Sequence, residues 1–65
     1  MKKIFIEGMM CEHCANAVKS ALEEIGGTNV SVNLDEKYAM AEISASDDEI
    51  IARISEEDFD VIEIK

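Results

Sequence analysis

The sequence predicts a small α+β domain of order βαββαβ, and two observations carry most of that prediction. The spacing of apolar residues switches back and forth between two and about 3.6 along the chain. Short polar breaks, with no proline anywhere, separate the periodic segments. A third observation is size. A chain of 65 residues with 48% hydrophobic types sustains one small core, since domains of this length bury only about 60% of the surface they expose when unfolded. With no Trp, two Phe and one Tyr, that core is expected to be aliphatic.

Residues 3–7 alternate weakly and are rich in β-formers, which predicts a first strand. Gly8 interrupts it and opens a loop over 9–12. From His13 the period changes, and Val18, Ala21, Leu22 and Ile25 fall on one stripe of an amphipathic helix. Gly26-Gly27 ends that helix where a left-handed residue is needed. Residues 29–34 alternate polar and apolar without a fault, a half-buried strand. Asp35-Glu36-Lys37 makes a turn, and 38–43 return as a strand with Ala39, Ala41 and Ile43 on one face. Ser46 followed by Glu49 three residues later reads as a capping box. The acidic first turn behind it suits the helix dipole. Ile50, Ile51 and Ile54 are expected to form the buried side of this second helix. Residues 59–64 close the chain as a strand.

This order is the ferredoxin-like split βαβ plan, a four-stranded antiparallel sheet with both helices on one face. Residues 1–65 are expected to form a single domain. A three-helix bundle would require 29–34 to be helical, which their period opposes.

Charge excludes several function classes. The chain carries 15 acidic and six basic residues, net −9. Nine of the carboxylates lie between Glu42 and Glu63, where Arg53 is the one cation. Nucleic-acid affinity rests on Lys and Arg neutralising phosphates, so no nucleic-acid partner is expected. The same sign disfavours anionic membrane surfaces. No apolar run approaches a spanning helix, so no membrane insertion is expected. The basic start at Lys2-Lys3 is followed by an apolar stretch too short for a secretory signal, which reads as cytoplasmic.

Two cysteines in a reducing compartment are better suited to metal or redox chemistry than to a structural staple. Cys11 and Cys14 lie where the loop becomes the first helix. Backbone N–H groups and the positive helix end favour thiolates there. Two thiolates separated by two residues can converge on one soft ion. They fill only half of a tetrahedral zinc shell, and no second CxxC is present. Cu(I), content with two sulfurs, is therefore the better match for one chain.

Gly8-Met9-Met10-Cys11-Glu12-His13-Cys14 resembles the GMxCxxC motif of heavy-metal-associated domains, specifically of the bacterial copper chaperone type. The resemblance runs over essentially the whole chain. Val30-Ser31-Val32-Asn33-Leu34 is similar to the VxVNL strand of that family, and Phe59-Asp60-Val61 to its aromatic-Asp-Val segment. Met10 departs from the usual Thr or Ser, and Asp58 stands where Gly is common. The resemblance implies Cu(I) binding through Cys11 and Cys14. It implies delivery to the metal-binding domain of a copper-transporting P-type ATPase, and it makes Phe59 an aromatic lid beside the cysteines.

Each supporting residue has a plainer reading. Met9 is a soft thioether but is read first as a core plug, since Met fills irregular gaps. Met10 is expected to be exposed and is the better candidate for a third sulfur. His13 is a candidate ligand or proton carrier, read first as a polar residue facing outward from the first turn. The acidic run is either a solvated face or a docking surface for a basic partner. Rival functions are a stand-alone domain for Zn, Cd or Hg, a sensing domain of a transporter, and a small thiol–disulfide protein. A thioredoxin-type site would need a longer chain and a cis-proline, which the absence of proline opposes. A chain running from Met1 to just past the last strand is expected to be a free carrier. Two copies could also bridge copper with four thiolates, a metal-linked homodimer.

Overall fold

Ile4 and Ile6 on the first strand, β1 (Lys2–Glu7), have no exposed surface. They define the side of the sheet on which everything else packs. The computed structural model describes every residue except Met10. Its elements follow as α1 (Glu12–Glu24), β2 (Thr28–Asn33), β3 (Tyr38–Glu42), α2 (Asp47–Ser55) and β4 (Asp60–Ile64). The strands form one sheet in the order β2-β3-β1-β4, with every neighbouring pair antiparallel. This is the ferredoxin-like architecture expected from the periodicity.

The core is aliphatic. Ile4, Ile6, Ala39 and Ala41 from the central strands meet Val18, Ala21 and Leu22 of α1 and Ile50 and Ile54 of α2. The two alanines on β3 keep the sheet floor low, so the branched side chains of the helices reach it. Among the described residues no polar or charged residue is buried, and no buried side-chain nitrogen or oxygen lacks a hydrogen-bond partner.

Both helices end as their sequences require. Gly26 adopts φ +94°. Its N–H donates to the Glu23 carbonyl at 3.1 Å, and the Gly27 N–H donates to the Leu22 carbonyl at 2.8 Å. This pair of bonds is a Schellman motif, which a left-handed glycine permits. At the start of α2 the Ser46 hydroxyl accepts from the Glu49 N–H at 3.2 Å.

Several expectations shift. β1, β2 and β4 span 2–7, 28–33 and 60–64 rather than 3–7, 29–34 and 59–64. Ile25 is the half-buried cap after α1 rather than part of its buried stripe. Helix α1 begins at Glu12 rather than His13, because Cys11 is already its cap. Ile43 lies beyond the end of β3 and is half-buried. Ile51 is 40% exposed instead of joining the buried side of α2. A nine-residue helix turned toward the sheet by Ile50 and Ile54, four apart, leaves Ile51 about 100° round from Ile50, at the helix flank. On β4 a register shift opposite Phe5 and Ile6 inserts Ile62 as an extra residue, and it is 63% exposed.

Strand pairing fixes one end of the molecule. Phe5 pairs with Tyr38, the Ile6 N–H donates to the Lys37 carbonyl at 2.9 Å, and Glu7 pairs with Asp60. The β1–α1 loop, the β2–β3 turn and the α2–β4 loop therefore meet at the same end.

Candidate metal centre

Cys11 caps α1 in an extended conformation, φ −153° and ψ 172°, and its side chain makes no capping bond to the helix. Its carbonyl accepts from the Ala15 N–H at 3.1 Å, the first bond of the helix, and the residue itself is exposed. Cys14 sits one turn on. The two Sγ atoms are 3.6 Å apart, and both thiols are free. A disulfide needs about 2.05 Å, so the pair is convergent without being bonded. Cys11 is exposed, whereas Cys14 is half-buried and packs against the core. One sulfur thus belongs to an exposed residue while the other is anchored against the core.

The backbone N–H of Cys14 and then its thiol hold the Cys11 thiol below its ordinary pKa. The His13 N–H adds to the effect, against partial desolvation and the Glu12 carboxylate. The helix start therefore favours a thiolate at the exposed position.

The loop is held from below and from the side. Met9 is 2% exposed and belongs to the core. Gly8 has φ +100°, and a Cβ added there would lie 3.4 Å from Phe59 Cδ1. Phe59, 9% exposed, thus packs its ring edge beside the residue that turns β1 into the loop. It is delivered by Asp58, a left-handed residue at φ +65° whose N–H donates to the Ser55 carbonyl at 3.0 Å. His13 is exposed on the first turn of α1, and it reaches Cys11 through its backbone N–H. Met10, the candidate third sulfur, lies outside the described residues.

Among the described residues, no three His, Cys, Asp or Glu side chains gather into a ready-made cage. The sulfurs that the described residues bring together at this end are those of Cys11 and Cys14. Sequence reasoning missed Arg53, whose guanidinium joins the α2–β4 loop to Glu24, the last residue of α1, at the end of that helix away from the cysteines. Its Nε donates to Glu24 Oε2 at 2.8 Å and its Nη2 pairs with the same oxygen. Glu57 Oε1 lies 3.1 Å from Nη2, and Glu56 Oε2 lies 3.5 Å from Nη1. The i,i+3 and i,i+4 spacings to Glu56 and Glu57 were available as a signal; the partner on α1 was not.

Residues 3–60 match the heavy-metal-associated domain family. The chain belongs to that family. Among curated heavy-metal-associated relatives, the copper chaperone CopZ of Staphylococcus epidermidis is 50% identical over 46 residues, covering 69% of this chain and 68% of its own. Among solved structures, a CopZ metallochaperone superposes with a TM-score of 0.85 at 30% identity, covering 95% of this chain and 100% of the other. A copper-binding domain from HMA7, a P-type ATPase, superposes with a TM-score of 0.81 at 25% identity, over 100% of this chain and 99% of its own. The fold is thus shared by free carriers and by a domain of a transporter.

Proposed function

We propose that this chain is one heavy-metal-associated domain acting as a cytoplasmic copper carrier without catalytic activity. It takes Cu(I) on Cys11 and Cys14 and passes it to the metal-binding domain of a copper-transporting P-type ATPase. The observation that carries this reading is the sulfur pair, 3.6 Å apart at an exposed helix start with Cys11 biased toward thiolate. Relatives named as copper chaperones support the metal, and the fold shared with an ATPase domain supports the recipient.

The chemistry follows from the ligand count. A soft d¹⁰ ion is satisfied by two thiolates. Two sulfurs leave its coordination open to an incoming thiolate, so a three-sulfur intermediate forms before the first bond breaks. Cys11, exposed, is the ligand that exchanges first, and half-buried Cys14 keeps hold until the recipient's second thiolate arrives. No redox change is involved: the metal enters and leaves as Cu(I).

Charge selects the recipient. Glu7 and Asp60 are directly paired on neighbouring strands at the loop end, and Asp58 adjoins them. Like charges placed opposite one another are unfavourable within a sheet, and a basic partner relieves them. Individual surface pairs contribute about 0–1 kcal/mol, so this field governs encounter more than final affinity. The test is the rate of copper transfer to a cognate ATPase domain across ionic strengths, with Glu7→Lys and Asp60→Lys as probes. Slower transfer at high salt and in both reversals is expected. Rates independent of salt and of both substitutions would leave the acidic surface a solvated face.

A further inference from the structure

The α2–β4 loop carries Phe59 to its place beside Gly8, and α1 carries Cys14. Arg53 binds these two elements together. Its side chain is 21% exposed and ion-pairs with Glu24 near the end of α1, and with Glu56 and Glu57 in the loop itself. Glu24 is 29 positions away in sequence, so this is a tertiary tie and not a helical pair. The loop is otherwise fixed by Phe59 in the core, by the Glu56 N–H on the Ala52 carbonyl at 3.2 Å, and by the Glu57 N–H on the Ile54 carbonyl and the Asp58 N–H on the Ser55 carbonyl, each at 3.0 Å. Those bonds close the end of α2 but make no link to α1.

We propose that Arg53 is a positioning residue for metal retention: by clamping Glu24, Glu56 and Glu57 it holds the α2–β4 loop, and hence Phe59, against the metal loop. This inference rests on the copper-carrier reading for its functional consequence, though not for its structural one. Without the guanidinium, three carboxylates of a chain with net charge −9 face one another with no cation between them. The repulsion then raises the fraction of time that the loop, and with it the Phe59 ring, spends away from Gly8.

The clamp has a signature that loss of packing alone does not share. In the native chain salt screens an attraction, so raising ionic strength loosens the loop. In Arg53→Met salt screens a repulsion, so raising ionic strength tightens it. The sign of the salt dependence inverts. Arg53→Lys keeps the cation and retains the native sign, with a weaker effect because an ammonium lacks the planar fork.

Two measurements test this. Amide hydrogen exchange at Glu57, Asp58 and Phe59 in the metal-free protein reads the loop directly. Transfer of Cu(I) to 2,9-dimethylphenanthroline, a nitrogen ligand uncharged near pH 7 and so little steered by the chain's charge, reads retention. Both rates are expected to rise in Arg53→Met at low salt, by about threefold to fivefold for exposed pairs, and to fall with added salt in that variant alone. Unchanged loop exchange in a folded Arg53→Met, or an increase whose salt dependence keeps the native sign, overturns the clamp. If the native chain fails to bind Cu(I), the carrier reading fails, while the exchange measurement still decides the clamp.

Discussion

Replacing Phe59 with alanine separates the two contributions that its ring makes. Truncating a buried Phe costs about 3–5 kcal/mol. Phe59 sits at the core's edge with 9% exposure and faces a glycine on one side, which puts the cost near about 3 kcal/mol. A 65-residue chain at about 0.05–0.15 kcal/mol per residue has about 3–10 kcal/mol of stability in all. The variant therefore retains about 0–7 kcal/mol, and at the lower end of that range it needs reduced temperature to stay folded. Its Tm should fall by about 12–24 °C, at about 4–8 °C per kcal/mol for a domain of this size. Thermal unfolding followed by far-UV circular dichroism measures that loss. Copper transfer to a competitor is then timed well below the lowered midpoint, where the chain is folded. On the proposal that the ring also acts as the lid implied by the family resemblance, transfer is expected to be several-fold faster than in the native protein. A Tm change under about 4 °C would refute the packing, and an unchanged transfer rate in the folded variant would refute the lid.

Two further outcomes follow from the loop's geometry. Gly8→Ala places a β-carbon on a residue at φ +100°, a backbone cost of about 1–2 kcal/mol. The contact with Phe59, 3.4 Å from the added atom, is ordinary packing, so adding Phe59→Leu should not restore the lost Tm; recovery would assign the cost to the ring instead. The lowered pKa of Cys11 should make it react with iodoacetamide near pH 7 faster than the cysteines of an unstructured peptide spanning 8–14. The gain in thiolate outweighs the reduced nucleophilicity, since β is about 0.4–0.5. The rate should drop as pH falls through the Cys11 pKa and thiolate is replaced by thiol. Equal rates for protein and peptide would remove the electrostatic role of the helix start.

The parts readable from sequence are those decided within one or two turns of chain. The stripe of Val18, Ala21 and Leu22, the glycine stop at Gly26 and the Ser46 cap are local chemistry, and the structure carries each of them. The cysteine pair is local too: three positions on a helix start bring the two sulfurs together whatever the rest of the chain does. Ile51 shows the limit. Three isoleucines within five positions cannot all face a sheet from a short helix, and the choice among them is made by the shape of the floor. The bulge at Ile62 likewise depends on the register of β4 against β1, which alternation alone does not determine. Arg53 was hidden for the same reason, because Glu24 reaches it only after both helices have packed. Family resemblance suggested Phe59 as a lid beside the cysteines; its place beside Gly8 is visible only in the structure.

The central claim is that Cys11 and Cys14 together hold one Cu(I). Anaerobic titration of Cu(I) against a chromophoric competitor, with the mass of the complex recorded under native conditions, tests it most directly. The native chain should take up one tightly held Cu(I), and Cys11→Ser and Cys14→Ser should each lose it while keeping the native circular dichroism spectrum. Retention of native affinity by either variant would contradict the account.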